Sequence, residues 1–406
     1  MAPAHLSDAI SLTGLAAELR GVQAEQPARP VRLFSVWEIT TWILPMAAEH
    51  LRRTLAAHPE LPQGQVAGEG GTRWFSAYEV AQLRTHFAQG SRKARYIPPT
   101  NPTGAPLIAL AQPMGGAGKT VMILHLAIAA ALAGLRVLII DGDPSGTLGA
   151  DLGVKGDTSS LLPLVARSAG QHLRHINEGR LDRGEAPLPM EPRLSLALQP
   201  NPAPLIYASH WHGLDVLPAG PDLMQADLVI GGWQRSLPRW QPRRALMDAI
   251  QADGLRHRYD LILSDTGRGL GPLAMTLLTI ADVLLAPLKP GVAPDLATGL
   301  DALAAAVRDM DASDQITAQA LGQNHSPIAW RRLAVLPTCM PAASPLQITS
   351  AATLPAALPE VRHVAEGKAR NLYDLDYRSI GRVAYAPLRD AAEMACRAVI
   401  AMAAEA

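Results

Sequence analysis

The sequence predicts an α/β fold in which helices cover both faces of a mostly parallel sheet, with a smaller helical domain before it. From residue 107 onward, short apolar segments of four to five residues alternate with helical segments, the pattern of a parallel sheet buried on both faces. Hydrophobic residues make up 48% of the 406 residues and aromatic residues only 4%, so the core must be mostly aliphatic. Such a core suits helices packed on a sheet better than an aromatic-rich β sandwich.

The elements of this region are predicted from their apolar periodicity and from the glycines and prolines that bound them. The six predicted strands are residues 107–111, 137–140, 214–217, 261–264, 283–287 and 333–336. The predicted helices are residues 118–133, 243–253, 271–280, 294–310 and 384–404. Residues 159–208 are rich in proline, arginine and histidine and have weak periodicity, so we interpret them as a long insertion with short helices.

Composition divides the chain into four parts. Residues 1–30 predict a helix whose apolar stripe could pair with its copy in a dimer, although such a stripe more often packs within one chain. Residues 31–88 predict a small helical domain. Residues 89–106 are basic and punctuated by proline, so we expect an extended linker. Residues 107–406 form the α/β domain.

Charge and cysteine content limit the classes of protein. Lysine plus arginine and aspartate plus glutamate number 36 each, so the formal net charge is zero and any nucleic-acid surface must be a local patch. The two cysteines form neither a disulfide framework nor a metal-ligand spacing. No apolar run predicts a membrane span and no signal sequence precedes the first domain, so we expect a cytoplasmic protein without a membrane partner.

Two predicted helices in residues 31–88 favour a winged helix-turn-helix-like domain. Residues 35–43 and 46–57 predict the helices, and Pro45 lies near the first turn of the second one, where proline is tolerated. The glycine-rich residues 65–74 would then form the wing.

Three arginines are the candidate DNA-binding residues of this domain. Arg52 and Arg53 lie on the second helix, where a recognition helix would meet the major groove. Arg73, in the wing, would approach phosphate. The alternative interpretation is a small helical dimerisation domain whose arginines are merely solvated.

A glycine-rich turn, Met-Gly-Gly-Ala-Gly-Lys-Thr at residues 114–120, lies between a predicted strand and a predicted helix. In this setting backbone N–H groups can converge on a phosphate, and the helix N-terminus adds positive charge. Lys119 would reach the β and γ phosphates, and the Thr120 hydroxyl would ligate Mg²⁺. The turn thus predicts a site for ATP or ADP with Mg²⁺, and the nucleotide-binding candidates are Gly115, Gly116, Ala117, Gly118, Lys119, Thr120 and Val121.

Carboxylates follow two of the predicted strands. Asp141 and Asp143 follow residues 137–140, and Asp265 follows residues 261–264. Ligand sites in open α/β sheets lie beyond the carboxyl ends of the strands, so these side chains should lie near the glycine-rich turn. One carboxylate can hold Mg²⁺ through water and another can orient an attacking water. A single such aspartate is more often a cap or turn residue, but three beside one phosphate loop favour a functional site.

Several segments of the chain together resemble one ATPase family. They are Gly-Gly-Ala-Gly-Lys-Thr at 115–120, His-Leu-Ala at 125–127, Gly-Leu-Arg-Val-Leu-Ile-Ile-Asp-Gly-Asp-Pro-Ser-Gly at 134–146, Leu-Pro-Ala-Gly at 217–220, Tyr-Asp-Leu-Ile-Leu-Ser-Asp at 259–265 and Ala-Asp-Val-Leu-Leu-Ala-Pro at 281–287. From residue 107 to the end the chain is similar to the ParA/MinD family of deviant Walker ATPases. The resemblance implies a P-loop NTPase fold.

Segments outside the phosphate loop narrow the resemblance. They are Arg-Leu-Phe-Ser-Val-Trp-Glu-Ile at 32–39, Thr-Arg-Trp-Phe-Ser-Ala-Tyr-Glu-Val-Ala-Gln-Leu-Arg at 72–84 and Ala-Arg-Asn-Leu-Tyr-Asp-Leu-Asp-Tyr at 369–377. They resemble plasmid-partition ParA proteins, most of all the RepA subgroup of repABC-type plasmids. Membership implies an ATP-dependent homodimer that binds DNA at the nucleoid, slow hydrolysis stimulated by a ParB-type partner, and repression of its own operon.

The resemblance also assigns roles to individual residues. Asp143 matches the position that orients the hydrolytic water, which with Lys119 makes the catalytic pair. Asp141 and Asp265 match acidic positions near Mg²⁺. Pro337 and Thr338 follow the strand that usually reaches the adenine.

The sequence departs from the family at three places. Met114 replaces the lysine that reaches the phosphates of the partner subunit, Val121 replaces a second threonine, and the segment after Asp265 is Thr-Gly-Arg instead of Cys-Pro-Pro. Methionine offers no cation to a transition-state phosphate, so a weak ATPase and a hydrolysis-deficient nucleotide-binding regulator both remain open. Arg268 could supply a replacement charge, or it could be an ordinary surface arginine. A MinD-like positioning ATPase is disfavoured, because the last helix has no basic amphipathic face.

His125 lies on the helix that follows the phosphate loop, within an apolar run. We expect a hydrogen-bonded core histidine there and no catalytic role, since no neighbouring residue in the sequence would orient it.

Overall fold

A computed structural model of the chain describes residues 32–67, 71–89, 93–113, 118–154, 161–199, 205–289, 291, 293–320, 322, 324–339, 348, 351–366 and 370–406. Every described helix and strand lies in the structural unit Leu33–Ala406. The predicted N-terminal helix at residues 1–30 lies outside the described residues, as do Met114, Gly115, Gly116 and Ala117 of the predicted phosphate loop.

The N-terminal part of this unit combines a small antiparallel sheet with helices. Its elements are β1 (Leu33–Ser35), α1 (Val36–Glu38) with a π-helical continuation (Ile39–Ile43), α2 (Ala48–Ala57), β2 (Gln65–Ala67), β3 (Thr72–Ser76) and α3 (Ala77–Phe87). The strand order is β1-β3-β2, and both pairings are antiparallel. The two predicted helices are therefore present, and the predicted wing forms strands β2 and β3.

The same capping device starts a helix after β1 and after β3. The Glu38 carboxylate accepts a 3.0 Å bond from the Ser35 amide, and the Ser35 hydroxyl accepts one of 3.3 Å from the Glu38 amide. Ser76 and Glu79 repeat the arrangement with distances of 2.8 and 3.2 Å. Each pair satisfies N–H groups that a helix start leaves open, which explains why Phe-Ser-x-x-Glu occurs twice in this part of the sequence.

The linker differs from the expected extended form. Residues Lys93–Tyr96 form a short helix, α4, and the Arg95 guanidinium donates a 3.0 Å hydrogen bond to the Pro45 carbonyl. Prolines 98, 99 and 102 all follow this helix, so proline does not oppose helix formation before residue 97.

An eight-stranded sheet forms the centre of the α/β part. Its strands are β4 (Leu107–Leu110), β5 (Val137–Asp141), β6 (Tyr207–Ala208), β7 (Leu214–Leu217), β8 (Leu261–Asp265), β9 (Val283–Leu288), β10 (Arg332–Pro337) and β11 (Ala352–Thr353). The order is β11-β10-β9-β4-β8-β5-β7-β6, and every pairing is parallel except that of β6 with β7. All six predicted strands are confirmed within one residue at each end, and so is the mostly parallel sheet.

Helices cover both faces of this sheet. They are α5 (Lys119–Leu132), α6 (Thr147–Asp151), α7 (Leu162–Asp182), α8 (Pro192–Ala197), α9 (Ala226–Ser236), α10 (Pro242–Ala252), α11 (Leu255–Arg258), α12 (Pro272–Thr279), α13 (Ala293–Ala320), α14 (Arg362–Ala365) and α15 (Arg382–Ala404). Side chains of one strand alternate between two separate cores. Ile108 and Leu110 pack on the side of α5 and α15, whereas Leu107 and Ala109 pack on the side of α7, α10 and α12.

Two helix predictions were wrong in extent. Residues 159–208 contain the 21-residue helix α7 instead of short helices only, and Val165, Ala169 and Leu173 form its buried face. Polar residues on its other faces weaken the periodicity in the sequence. Helix α13 continues ten residues beyond the predicted end at 310. The Asp311 carboxylate accepts a 2.8 Å hydrogen bond from the Ile328 amide. A tertiary hydrogen bond thus supports the last ten residues of the helix, where the sequence has little apolar periodicity.

Arg84 joins the N-terminal part to the α/β part. Its guanidinium is buried and donates hydrogen bonds to three backbone carbonyls, those of Ile43, Tyr96 and Leu132. Leu132 is the last residue of α5, so a cation lies at the negative end of that helix. Burial lowers the pKa of Arg84 to about 10, which leaves it charged at neutral pH.

Candidate functional site

The carboxyl ends of β4, β5 and β8 meet at one edge of the sheet. Strand β8 pairs with both of the others, and Asp141 and Asp265 are direct register partners. The chain leaves β4 towards α5, which begins at Lys119. The fold therefore brings the lysine, the threonine and the three predicted aspartates to one place, as the position of strand ends required.

Helix α5 has an open N-terminus. Its N-cap, Gly118, has a φ of 75°, and no side chain caps the first turn. A left-handed backbone there favours glycine, because a Cβ would strain the turn. Among the described residues, no side chain accepts from the first N–H groups of this 14-residue helix, the arrangement that binds a phosphate group.

Lys119 is buried with its ammonium group pointed at backbone carbonyls. Nζ donates to the Gln112 carbonyl at 2.7 Å and to the Gly267 carbonyl. Burial lowers the pKa of Lys119, and the charges of Asp265 and Asp143 oppose that shift. The amine therefore lies at the start of helix α5, where the charges of Asp265 and Asp143 act on it.

Thr120 and Asp265 form the direct side-chain contact of the site. The Thr120 hydroxyl donates a 3.0 Å hydrogen bond to Asp265 Oδ2, while Oδ1 accepts the Gly267 amide at 3.2 Å. Burial raises the pKa of Asp265, and the positive charge of Lys119 opposes this rise. A hydroxyl and a carboxylate oxygen at this distance are the hard ligands that Mg²⁺ prefers.

Asp141 is fully buried beside Asp265. Its Oδ1 accepts the Asp143 amide at 3.1 Å and its Oδ2 accepts the Gly149 amide at 3.2 Å, so it also shapes the turn after β5. Burial, and then the charge of Asp265, raise the pKa of Asp141 to about 7. Asp141 and Asp265 are two buried carboxyl groups, and Lys119 is the cation near them. A second cation would stabilise this pair, and the oxygen donors of the site suit Mg²⁺.

Asp143 lies at the same site and is partly exposed. Its Oδ1 accepts the Ser145 amide at 2.9 Å, and its charge acts on Lys119, Asp141 and Asp265. A carboxylate with one oxygen held by the backbone and access to solvent is suited to orient a water molecule.

Pro337 and Thr338 lie at the end of β10, separated from β4 by β9. The Thr338 amide donates to the Leu288 carbonyl at 2.8 Å. The Thr338 hydroxyl is buried and has no hydrogen-bond partner, as far as the chain is described. The two residues thus lie at the same edge of the sheet as the end of β4, one strand away from it.

Two features of the site were not predicted from the sequence. The side-chain amide of Gln112 is buried directly before the phosphate loop, and neither of its polar atoms has a partner among the described residues. Residues 266–269 form a turn beside the loop, since the Gly269 amide donates to the Pro113 carbonyl at 2.9 Å and Gly267 accepts Lys119. The glycines on either side of Arg268 were the sequence signal for that turn.

The three arginines predicted to bind DNA lie in the N-terminal part. Arg52 and Arg53 are exposed on α2, and Arg52 lies 3.6 Å from Glu49. Arg73 on β3 donates to the backbone and side-chain oxygens of Gln63 at 2.9 and 3.0 Å.

His125 is a core histidine, as predicted. It is buried, and both ring nitrogens have backbone partners, the carbonyl of Val121 and the amide of Leu372.

In the described part of the chain, no helix has the length and apolar character needed to cross a bilayer.

Comparisons with known proteins agree with this geometry. Residues 105–318 match the family model AAA_31, described as an AAA domain. The chain is 27% identical over 271 residues to a putative replication protein A of Sinorhizobium fredii (strain NBRC 101917 / NGR234), covering 64% of this chain and 58% of that protein. It is 30% identical over 183 residues to the chromosome partitioning protein ParA of Caulobacter vibrioides (strain NA1000 / CB15N), covering 45% of this chain and 55% of that protein.

The chain therefore spans a little over half the length of these curated relatives. A solved structure described as a partition protein is similar in fold, with a TM-score of 0.53 and 17% identity, over 93% of this chain and 98% of that one. Because the family model covers more than half of the sequence, the chain belongs to the AAA_31 family, and its fold is the P-loop NTPase fold of the ParA/MinD type, as the resemblance implied.

Proposed function

We propose that this chain is a plasmid-partition ATPase of the RepA-like ParA type, a nucleotide switch that acts in DNA segregation. The observation that carries the proposal is the cluster formed by Lys119, Thr120, Asp141, Asp143 and Asp265 at the open N-terminus of α5. Its cofactors would be ATP or ADP with Mg²⁺, because the phosphate-loop motif and the hydroxyl and carboxylate oxygens beside it fit a nucleotide and its metal.

Nucleotide binding rests on the loop and the residues around it. The residues from Gly115 to Val121 would cradle the phosphates, with Lys119 exchanging its carbonyl partners for phosphate oxygens. Thr120 and Asp265 would hold Mg²⁺, with Asp141 beside them. The bound metal would neutralise phosphate charge. Pro337 and Thr338 would line the adenine site. The buried hydroxyl of Thr338 has no hydrogen-bond partner in the described chain.

Hydrolysis rests on Asp143. Its carboxylate lies near Lys119 and keeps access to solvent, so it would orient the water that attacks the γ phosphate. Without a lysine at residue 114 we expect turnover to be slow.

The order of elements in the N-terminal part supports DNA binding. Strand β1, helices α1 and α2 and the β2–β3 hairpin follow one another as in a winged helix. Gln63 donates to the carbonyl of Leu55 near the end of α2 and accepts Arg73, which ties the hairpin to that helix. Arg52 and Arg53 on α2 and Arg73 beside it would meet DNA from one side.

Dimerisation and partners complete the proposal. ATP would favour a homodimer, the dimer would bind DNA at the nucleoid in the cytoplasm, and a ParB-type protein would stimulate hydrolysis. The chain would also repress its own operon through residues 31–88.

Steady-state ATP hydrolysis, measured with and without DNA, tests this function. We expect slow turnover that DNA stimulates, and we expect Asp143→Ala to abolish it while leaving nucleotide binding intact. The second candidate, a regulator that binds nucleotide without hydrolysing it, is favoured by Met114. Undiminished nucleotide binding with no turnover at any DNA concentration would support that candidate instead.

A further inference from the structure

Arg268 occupies a turn that is fixed on two sides of the nucleotide site. On one side, Gly267 accepts Lys119 and the Gly269 amide donates to the Pro113 carbonyl at 2.9 Å. On the other side, a Cβ built on Gly267 would lie 3.2 Å from the Gly142 carbonyl oxygen. The turn therefore lies between the phosphate loop and the Asp141–Asp143 segment.

The backbone of this turn requires glycine on both sides of the arginine. Gly267 has a φ of 67° and Gly269 a φ of 81°, both in the left-handed region. Two adjacent constraints of this kind hold the Cα of Arg268 in place while its side chain stays exposed.

Within the described residues, the Arg268 guanidinium has no structural partner. No hydrogen bond or ion pair joins it to any part of the chain that the structure describes, although the preceding residue, Gly267, is so close to Asp143 that an added Cβ would lie 3.4 Å from the Asp143 Cα. Arginines elsewhere near the sheet pair with carboxylates, as Arg136 does with Asp260 at 2.8 Å. Lys119 donates to the carbonyl of the preceding residue, Gly267, so the two cations belong to one site, and the charge of Arg268 lowers the pKa of Lys119.

We propose that Arg268 is a catalytic residue that contacts the γ phosphate of the nucleotide bound to the same chain. This inference rests on the proposed function. The terminal phosphate carries charge that both cations, Lys119 and Arg268, can bind from one site. ADP lacks this group, so Arg268 distinguishes ATP from ADP.

The reaction balances without any further reactant. A bond forms between the oxygen of the water near Asp143 and the γ phosphorus, and the bond from that phosphorus to the β–γ bridging oxygen breaks. The electron pair remains on the β phosphate of ADP, and one proton passes to solvent. Arg268 stabilises the negative charge on the γ oxygens during transfer.

Two substitutions and a matched control test the role of Arg268. In Arg268→Ala we expect kcat to fall by about 100-fold, the typical effect of one lost charge-stabilising donor, and the ATP Kd to rise while the ADP Kd stays unchanged. Arg268→Lys restores part of the ATP preference, because it keeps the charge but not the planar fork. Arg174→Ala, which removes an exposed arginine of α7, leaves both Kd values and kcat unchanged.

The ratio of the ATP and ADP Kd values tests whether Arg268 contacts the γ phosphate, even where turnover is too slow to follow. An Arg268→Ala variant with the wild-type ratio and the wild-type kcat overturns the role. A wild-type chain that binds neither nucleotide contradicts the proposed function itself, and the role of Arg268 with it. Thermal melting of each variant shows that the fold is kept, since an exposed side chain without a partner contributes little to stability.

Discussion

The backbone amide of Leu372 donates a 3.1 Å hydrogen bond to Nε2 of His125, across the boundary between helix α5 and the segment before α15. Nδ1 of the same ring lies 2.7 Å from the Val121 carbonyl, so the ring is neutral and carries its proton on Nδ1. The helix that starts at the phosphate loop is thereby joined to the C-terminal part of the chain.

This histidine predicts a pH dependence of stability. Burial lowers the pKa of His125 from 6.5 to about 4. Because the folded pKa lies below the unfolded one, the contribution is present above pH 6.5 and is lost as pH falls towards 4. Across that window the difference in free energy of unfolding between wild type and His125→Leu should fall by about 3 kcal/mol.

Urea unfolding of both proteins at several pH values between 7.5 and 4 measures this difference. The comparison with His125→Leu cancels the titration of other groups, including Asp141, whose raised pKa acts in the opposite direction. A difference that stays constant over the window would show that the histidine does not titrate as described.

Gly134 should be intolerant of a side chain. It has a φ of 98°, and a Cβ there would lie 2.5 Å from Cδ of Arg84. We expect Gly134→Ala to lower the free energy of unfolding by about 3 kcal/mol, from the left-handed backbone and the overlap together. Gly184→Ala is the matched control, because its φ is 74° but nothing lies within 4 Å of the added Cβ. Denaturant titration should show the control losing about 1 kcal/mol, and equal losses would contradict the close approach.

Arg84 should contribute more to the free energy of unfolding than Arg95. Arg84→Met leaves three buried carbonyls without a donor, so we expect a loss of about 3 kcal/mol or more in the free energy of unfolding. Arg95→Met removes one exposed hydrogen bond to Pro45 and should cost less than about 1 kcal/mol. Chemical denaturation distinguishes the two. A small effect of Arg84→Met would mean that the junction does not depend on this guanidinium.

DNA binding should depend on α2. In the double variant Arg52→Ala and Arg53→Ala we expect weaker binding and a slope of log K against log salt that is smaller by about two, one for each lost phosphate contact. Fluorescence anisotropy with duplex DNA at several salt concentrations measures both quantities. Arg174→Ala serves as the control and should keep the wild-type slope. An unchanged slope in the double variant would favour the interpretation of residues 31–88 as a dimerisation domain.

The sheet and most of the site follow from local sequence. The run 137–140 is apolar because its strand is buried on both faces, and Asp141 follows it because the strand ends there. The position of strand ends at one edge then brings Asp265 against Thr120. The role of Arg84 could not be predicted, because its three acceptors come from residues 43, 96 and 132, which only the tertiary fold brings together.

Helix α7 shows a second limit of prediction from the sequence. Its buried residues have helical spacing, but prolines and charged residues around them hide the pattern until the surface it packs on is known. The turn around Arg268 was visible in the sequence as a departure from a family motif and as two glycines that flank the arginine. Its contacts with Pro113 and Lys119 depend on strands β4 and β8 being neighbours.

Calorimetric titration of ATP, with Mg²⁺ and with EDTA, into wild type and Lys119→Met tests the central claim most directly. We predict that the wild type binds ATP, that Mg²⁺ tightens the binding, and that Lys119→Met weakens it by about 100-fold, since the charge-assisted bonds to phosphate are lost. A wild type that binds no ATP, or a Lys119→Met variant that binds it as tightly and with the same Mg²⁺ dependence, would contradict the assignment of this site.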